Sequence, residues 1–424
     1  MLYFERGSPE DKLSMHDLRA GLFQALDRLG PRQRVLVVPP DFTRLHSQAG
    51  VLTKLIHDYY GPRLTDVLPA LGTHTPMTPG QLAEMYAGVP PALFRVHHWR
   101  TGVVTIGEVP AEFVRQVSGG AVDFPWQAQL AGLIWTGKHD LILSVGQIVP
   151  HEVVGMASYN KNIFVGTGGT QSINQSHFVG AAYGMERMMG RADTPVRRIL
   201  NYASEHFTKH LPIVYVHTVV GIDADGKLSV RGLFVSDDGS GFDRGAALSL
   251  QVNFNMLDEP LGKVVVYLDP GEFKSLWLGN KSIYRTRMAL ADGGELIVLA
   301  PGVKGFGEDP EIDRLIRKYG YRGTPAALAA VKADAELRNN LGAAAHLIHG
   351  SSEGRFRITY CPGHLPREAI ESVNFQYADL KTMLARYDPA RLKDGWNVMP
   401  DGEKIFFISN PALGLWAYRG RFQS

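Results

Sequence analysis

The chain has 424 residues, 45% of them apolar, and its 44 basic and 42 acidic side chains leave a formal net charge of only +2. This balance supplies no field that favours nucleic acid or an anionic membrane surface, and no apolar run approaches the ~20 residues of a membrane-spanning helix. Cys361 is the only cysteine, which excludes an intrachain disulfide and a thiolate metal cage. The charged N-terminus lacks the apolar segment of a secretion signal, so we expect a cytoplasmic protein.

Alternating strand and helix patterns in the N-terminal half predict a doubly wound α/β sheet. The predicted strands are residues 33–40, 65–71 and 140–145, and the helices between them are residues 48–60 and 78–86. Polar side chains follow each strand: Asp41 and Arg44 the first, His74 the second and His151 the third. Because the carboxyl ends of parallel strands meet at one edge of a sheet, we expect these four side chains to lie together there.

The stretch from Val149 to Gly180 concentrates reactive side chains in an H-x9-K-x15-H spacing, formed by His151, Lys161 and His177. Imidazoles bind metals or move protons, and a lysine whose pKa falls becomes a nucleophilic amine. Glycines and hydroxyl residues between them let the backbone approach a ligand closely and offer N–H donors to an anion. The residues alone leave the chemistry open between a metal site, a proton relay and a phosphate cradle.

Other candidate motifs receive structural interpretations. His97 and His98 lie in an alternating VHHW run, where one is expected to face solvent and the other the sheet. His206 and His210 have the i, i+4 spacing of a metal chelate, but no third ligand is evident nearby. The DADG run at residues 223–226 resembles the start of a calcium loop without its later ligands, so a hairpin turn is predicted.

The C-terminal part of the chain predicts a second α/β domain. We place the boundary between residues 255 and 256, which gives an N-terminal cofactor-binding and catalytic domain (residues 1–255) and a C-terminal domain (residues 256–424) that contributes substrate contacts. Further strands are predicted near residues 264–268, 295–300, 355–363 and 403–411, and a helix over 310–319. The basic segment 281–291 is predicted to be a helix.

Three motifs together resemble the nickel-pincer-nucleotide lactate racemase family. They are DFTR at residues 41–44, GTHTPMT at residues 72–78 and PHEVVGMASYNKNIFVGTGGTQSINQSH at residues 150–177, in the same order as in that family. The resemblance covers the N-terminal half well and the C-terminal half only loosely. Each motif is weak alone, but the spaced combination is specific.

The resemblance implies roles for individual residues, with the active site in the cleft between the two domains. Lys161 matches the lysine that attaches the nucleotide covalently, His177 the nickel ligand, and His74 and His151 the acid/base pair. Arg44 matches a substrate-binding arginine supported by the carboxylate of Asp41. We further infer that the loop of Gly166, Thr167, Gly168, Gly169 and Thr170 holds the nucleotide phosphate through N–H groups and hydroxyls.

Departures from the family pattern bear on the substrate. The family's Tyr-Gln-x-x-Lys segment appears here at residues 284–288 without its lysine, Leu45 and His46 stand where a proline is usual, Asn160 precedes Lys161, and a later tryptophan has no counterpart. A substrate richer in polar groups than lactate would use the donors that this segment does offer: Lys281, Tyr284, Arg285 and Arg287. A solvated helix face is the structural alternative for these basic residues.

The leading hypothesis is therefore a racemase or C2-epimerase of a 2-hydroxy acid that acts through a 2-oxo acid by reversible hydride transfer. A sugar acid, an aldonate such as gluconate or mannonate, is favoured as substrate, with lactate or malate as alternatives. A divalent-metal hydrolase or lyase using the same histidines is a second hypothesis, and a non-catalytic cofactor carrier or sensor a third. The expected partners are the small-molecule substrate and, transiently, cofactor-biosynthesis enzymes, with no nucleic acid and no membrane.

Overall fold

The computed structural model describes residues 1–223, 227–412 and 414–422. The chain divides into two compact units. The first consists of Met1–Val179 and Met188–Asn253, and the second of Gly180–Arg187 and Phe254–Ser424. The excursion of residues 180–187 into the second unit has no counterpart in the prediction from sequence.

The chain up to residue 253 alternates strands and helices, which we number in chain order. The strands are β1 (Leu2–Gly7), β2 (Val35–Val38), β3 (Leu64–Val67), β4 (Val103–Val109), β5 (Trp126–Ala131), β6 (Leu141–Gln147), β7 (Pro150–His151), β8 (Gly155–Met156), β9 (Ile213–Ile222) and β10 (Leu228–Ser236). The helices are α1 (Met15–Leu29), α2 (Ala49–Tyr60), α3 (Pro79–Met85), α4 (Ala111–Val117), α5 (Gly132–Thr136), α6 (Thr170–Tyr183), α7 (Met185–Met188), α8 (Pro195–Ala203) and α9 (Ser240–Val252). The predicted hairpin is present as β9 and β10, whereas residues 224–226 of its turn lie outside the described residues.

The main sheet of the first unit has the order β1-β10-β9-β6-β2-β3. Strands β3, β2, β6 and β9 run parallel, while β10 and β1 are antiparallel to their neighbours. From β2 the chain moves outward to β3 and then returns to the other side of β2 to form β6. The direction of winding therefore reverses between β2 and β6, and such a switch point is where ligands bind in open α/β sheets.

Helices cover both faces of this sheet, which confirms the doubly wound prediction. On one face, Leu22 of α1 and Ile56 of α2 are fully buried against strand residues such as Val37. On the other face, Phe242 of α9 packs against Phe234 of β10. Each such side chain contributes roughly 1.5–3 kcal/mol through burial. Helix α1, which the sequence analysis did not predict, begins with a capping box between Ser14 and Asp17.

The second unit is also an α/β structure, as predicted. Its strands are β11 (Phe254–Leu257), β12 (Leu261–Tyr267), β13 (Leu290–Ala300), β14 (Arg357–Pro362), β15 (Gln376–Tyr377), β16 (Gly395–Val398), β17 (Lys404–Ile408) and β18 (Leu415–Tyr418). Its helices are α10 (Leu276–Gly279), α11 (Lys281–Tyr284), α12 (Pro310–Tyr319), α13 (Thr324–Ala333), α14 (Ala335–Arg338), α15 (Leu341–His349), α16 (Arg367–Ser372), α17 (Leu380–Arg386) and α18 (Arg419–Phe422). The sheet order is β15-β14-β13-β12-β17-β16, parallel except for β16.

The predicted helix over residues 281–291 is wrong beyond its first turn. Helix α11 ends at Tyr284 because the following backbone pairs with β18 instead. The carbonyl of Arg285 accepts the N–H of Trp416 at 3.0 Å, and the carbonyl of Met288 accepts that of Tyr418 at 3.0 Å. A tertiary contact thus overrides the local helical pattern.

Across the described part of the chain, no helix combines the length and the apolar character that crossing a membrane requires.

Candidate active site

The structure brings Asp41, Arg44 and His74, three of the four predicted polar side chains, together at the switch point of the first sheet. Asp41 follows β2 and begins the turn of 3₁₀ helix that carries Arg44, while His151 follows β6 in the short strand β7. The loop that carries His74 is tied to the segment after Lys161, because the N–H of Gly72 donates to the carbonyl of Gly166 at 2.8 Å.

Asp41 and His74 form a closely coupled pair. The His74 Nδ1 lies 2.6 Å from one carboxylate oxygen of Asp41, and the Thr43 hydroxyl donates to the other oxygen at 2.5 Å. Burial alone would raise the pKa of Asp41, but His74, Thr43 and Arg44 together bring it below its ordinary value. The ionised carboxylate therefore holds the His74 proton on Nδ1, which leaves the Nε2 lone pair as a proton acceptor.

His151 is held in the opposite tautomer. The backbone N–H of Val153 donates to the His151 Nδ1 at 3.1 Å, so the neutral ring carries its proton on Nε2. His151 is 5% exposed, and its Nδ1 lies 3.9 Å from the Glu152 carboxylate. The two histidines thus differ in kind: His74 presents an acceptor and His151 a donor.

Lys161 is half-buried, and its amine has lost much of its basicity. Burial, followed by the positive charge of Arg44, lowers the pKa of Lys161 to about 8 from the ordinary 10.5. Glu152 and Asp41 oppose this shift, so their charges also act on the amine. A lysine in this state is available as a neutral nucleophile near physiological pH.

The residue after Lys161 fixes its position at the switch point. The side-chain amide of Asn162 donates to the carbonyl of Val145 in β6 at 3.0 Å and more weakly, at 3.4 Å, to the carbonyl of Val38 in β2. Asn162 is buried and begins a short π-helical turn, Asn162–Gly166. Lys161 is therefore anchored to both strands between which the sheet winding reverses.

His177 has the protonation pattern of a metal ligand. It lies in α6, where its Nδ1–H donates to the carbonyl of Ile173 at 2.7 Å, leaving the Nε2 lone pair for coordination. Burial lowers the pKa of His177, which favours the neutral imidazole that metals bind. The charges of Lys161, Glu152 and His74 all act on this ring. The structure thus brings His177 together with those candidate residues.

Close packing accounts for the glycines between Lys161 and His177. A Cβ on Gly168 would lie 2.0 Å from the Phe164 carbonyl oxygen, and one on Gly169 would lie 2.5 Å from Oε1 of Gln129. His97, which is buried while His98 is exposed as predicted, also contacts this loop, with its Nε2 2.9 Å from the carbonyl of Gly168.

Several N–H groups of this loop already have acceptors within the protein. The N–H of Thr167 donates to Asn162, and that of Gly169 to the hydroxyl of Ser172. At the start of α6, the N–H groups of Gln171 and Ser172 both donate to Oε1 of Gln129, at 3.0 and 3.3 Å. The phosphate-binding role of residues 166–170 stays a prediction, and a phosphate at the α6 N-terminus would have to displace the Gln129 side chain.

His206 and His210, whose spacing is that of a metal chelate, contact aromatic rings instead. His206 stacks on Tyr202, and His210 packs edge-on against Trp135. In the described ranges, no three His, Cys, Asp or Glu side chains converge as ligands for a metal ion.

The basic segment of the second unit is buried, so the solvated-face alternative is wrong for most of it. Arg285 is 1% and Arg287 4% exposed, and Tyr284 is also buried. Arg287 pairs with Glu186 at 3.3 Å, and Arg355 contacts the same carboxylate at 3.0 Å. This pairing gives Arg287 a structural role. Substrate binding by Lys281, Tyr284, Arg285 and Arg287 stays a prediction.

Sequence reasoning assigned no role to three residues that lie within the quoted motifs: Thr43, Glu152 and Asn162. Thr43 and Glu152 act on neighbours in sequence, Asp41 and His151. The contact of Asn162 with Val38, 124 residues earlier, could not be predicted because it depends on which strands the fold brings together.

No protein-family profile matches the chain, and no curated protein matches it either. Several solved structures share its fold, among them the following two. A protein from Thermotoga maritima, solved by the Northeast Structural Genomics Consortium, is 23% identical and superposes with a TM-score of 0.80 over 96% of this chain and 99% of its own. The lactate racemase apoprotein from Thermoanaerobacterium thermosaccharolyticum is 17% identical, with a TM-score of 0.71 over 97% of this chain and 94% of its own. The resemblance drawn from the motifs is confirmed at the level of the fold.

Proposed function

We propose that the chain is a nickel-pincer-nucleotide-dependent racemase or C2-epimerase of a 2-hydroxy carboxylic acid, with the nucleotide attached to Lys161. One observation carries the proposal. A lysine of lowered pKa, an Asp41–His74 pair, His151 and a neutral His177 gather at the switch point of a fold shared with a lactate racemase.

The donor set fits such a cofactor. The Lys161 amine supports covalent attachment, and the Nε2 of His177 supports coordination of nickel. Protein side chains in the described ranges offer no complete ligand set of their own. A metal that brings most of its donors within the cofactor, as a pincer does, is compatible with a single histidine from the protein. The same observation weighs against a hydrolase whose metal is held by histidines alone.

The reaction requires a hydride acceptor, because the Cα–H of a 2-hydroxy carboxylate is too weak an acid for histidine to remove. When bound, the cofactor would supply an electrophilic ring as this hydride acceptor. The protein moves the hydroxyl proton. The Nε2 of His74 accepts it, and Asp41 stabilises the imidazolium that results. For the opposite face, His151 serves as the second base once its ring releases the Val153 N–H.

The substrate carboxylate needs a cation, and the position of Arg44 at the same edge of the sheet supports this role. Its planar guanidinium matches a carboxylate through two parallel hydrogen bonds. We favour a sugar acid, such as an aldonate epimerised at C2, over lactate or malate. The support is the set of donors in and beside residues 284–288, where the family's lysine is absent: Lys281, Tyr284 and Arg285.

The deciding experiment is intact-protein mass spectrometry and nickel analysis after co-expression with cofactor-building enzymes. A nucleotide-sized adduct on Lys161 with stoichiometric nickel is expected, and it should be lost in Lys161→Ala. An unmodified Lys161 with zinc bound would contradict the proposal and favour a hydrolase.

The loaded protein should then invert a 2-hydroxy acid in D2O without incorporating deuterium at Cα. Nuclear magnetic resonance of gluconate, lactate and malate incubations measures this directly. Deuterium at Cα would show that the hydrogen leaves as a proton, which would contradict hydride transfer.

A further inference from the structure

Helix α8 and the residue that follows it present three polar side chains toward the turn that precedes Lys161. Arg197, Asn201 and Ser204 are spaced i, i+4 and i+7, which places them on one face of a helix. All three reach the turn of residues 156–160. The Asn160 side-chain amide donates to Asn201 Oδ1 at 2.7 Å and to Ser204 Oγ at 3.1 Å.

Arg197 makes the most extensive of these contacts. It is 2% exposed. Its guanidinium donates to the carbonyl of Met156 at 2.7 Å, to that of Ser158 at 3.3 and 3.4 Å, and to Oδ1 of Asn160. Its Cζ also lies 4.3 Å from the centre of the Phe242 ring.

In the described part of the chain, no close ion pair accompanies this buried arginine. Asp243 acts on its charge only from a greater distance, although a buried charge is costly unless paired. Its compensation comes from backbone carbonyls of one turn. The planar fork of arginine can reach several carbonyls at once, whereas a lysine ammonium cannot.

The turn itself has a backbone that needs external support. Ser158 and Tyr159 have φ values of 72° and 58°, consecutive left-handed conformations in residues that are not glycine. The Ser158 hydroxyl also lies 3.0 Å from Nδ1 of the buried His217. The turn ends at Asn160, so its conformation sets the direction in which the chain enters Lys161.

We propose that Arg197 is a positioning residue that holds the left-handed turn of residues 156–160 and thereby places the amine of Lys161 for covalent attachment of the cofactor. The attachment itself rests on the proposed function, whereas the support of the turn does not. Asn160, which departs from the family pattern before Lys161, is the side chain of the turn that Arg197, Asn201 and Ser204 all contact.

The test compares Arg197→Met with Arg231→Met in the full-length chain. Arg231 is a second buried arginine of the first unit, 8% exposed, which donates to the carbonyl of Asp11 and does not contact the turn. Amide hydrogen exchange of the cofactor-free proteins reports on the turn, because the N–H groups of Ala157 and Asn162 donate to Val149 and Tyr159 in this structure. Exchange over residues 156–162 should rise about tenfold or more in Arg197→Met alone.

Loading gives the second measurement. In a time course with cofactor-building enzymes, adduct formation on Lys161 should slow by about tenfold to a hundredfold in Arg197→Met, since small misplacements of a reacting group have effects of this size. Arg231→Met should load like the unaltered chain, and Arg197→Lys should fall between. If Arg197→Met does not fold, Asn201→Ala is tested in its place. This change removes only a contact of Asn160, so we expect smaller changes in exchange and loading in the same direction.

Unchanged exchange over residues 156–162, or unchanged loading despite faster exchange, would overturn the positioning role. Equal changes in exchange and loading in Arg231→Met would show that Arg197 contributes only to general stability, which would also overturn the positioning role. If the unaltered chain never acquires an adduct, the proposed function fails, and hydrogen exchange alone decides whether Arg197 holds the turn.

Discussion

The geometry of the Asp41–His74 pair directly supports the proton transfer that we propose. Because the carboxylate fixes the proton on Nδ1, Asp41→Asn removes both the tautomer preference and the charge that stabilises the imidazolium. We expect turnover of the loaded enzyme to fall about 10²- to 10⁴-fold, the range for carboxylate–histidine and general-base catalysis in other enzymes. Intact mass should still show the adduct on Lys161.

Thr43→Val provides the matched control for this change. It removes the hydrogen bond to the other oxygen of Asp41 and leaves the His74 contact in place. The expected loss is about tenfold or less, the size of one hydrogen bond. Equal losses in the two variants would contradict the role of the tautomer.

The low pKa of Lys161 has a cost in stability. Its folded-state pKa of about 8 lies below the ordinary 10.5, so between these values the unfolded chain binds more protons than the folded one. The penalty is fully present below pH 8 and vanishes as the pH rises to 10.5. Lys161→Met should therefore raise the Tm of the cofactor-free protein at pH 7, and the gain should shrink above pH 8.

Thermal unfolding of Lys161→Met and Lys209→Met across pH 7–10.5 checks this expectation. Lys209 is exposed, so its replacement should leave the Tm nearly unchanged. If Lys161→Met were less stable than the unaltered chain at every pH, the lowered pKa of Lys161 would not be the source of a stability penalty.

At the scale of elements, the small β7–β8 hairpin depends on one glycine. Gly155 pairs with His151 and has a φ of +80°. A Cβ at this position would lie 2.1 Å from the carbonyl oxygen of Arg191. Gly155→Ala should lower the free energy of unfolding by about 2–4 kcal/mol through strain and displacement of backbone, and it should also disturb His151.

Gly119→Ala separates the two causes. Gly119 has a φ of +61° with no atom within 4 Å of a Cβ. Its replacement therefore measures the cost of the left-handed conformation without that of a steric clash. A loss of about 1 kcal/mol is expected there by denaturant unfolding. A similar loss at both positions would show that the backbone around Gly155 yields to a methyl group.

For the whole molecule, the excursion of residues 180–187 makes the second unit depend on a segment that is distant in sequence. Glu186 in this segment pairs with Arg287 and Arg355. Glu186→Gln leaves the buried Arg287 without this counter-charge, and we expect a loss of about 1–3 kcal/mol in the free energy of unfolding. Asp292→Asn, which removes an exposed partner of Arg355, should cost less than about 0.5 kcal/mol. Comparable losses in the two variants would indicate that Glu186 is no more than a surface pair.

The sequence predicted those parts of the molecule whose signals are local. Apolar runs and caps marked β2, α2, β6 and α12, and strand-end polar residues identified Asp41 and His74. Long-range contacts carried the rest. The backbone pairing with β18 ended α11 early, and the Asn162 amide reaches strands that only the folded sheet brings together. No periodicity in the sequence predicts that Arg197 contacts Met156, 41 residues earlier.

The contacts made by the α8 segment also mean that the reactive stretch from residue 149 to residue 180 cannot keep its conformation when it is moved alone into another protein. Its turn is supported by Arg197, Asn201 and Ser204, all beyond its C-terminal end. In another protein, the contiguous segment would carry every motif residue of the stretch. It would nevertheless lose the conformation of residues 156–160 that positions Lys161. Anyone who builds an artificial host for such a cofactor would need to move a helix that contributes no reactive group.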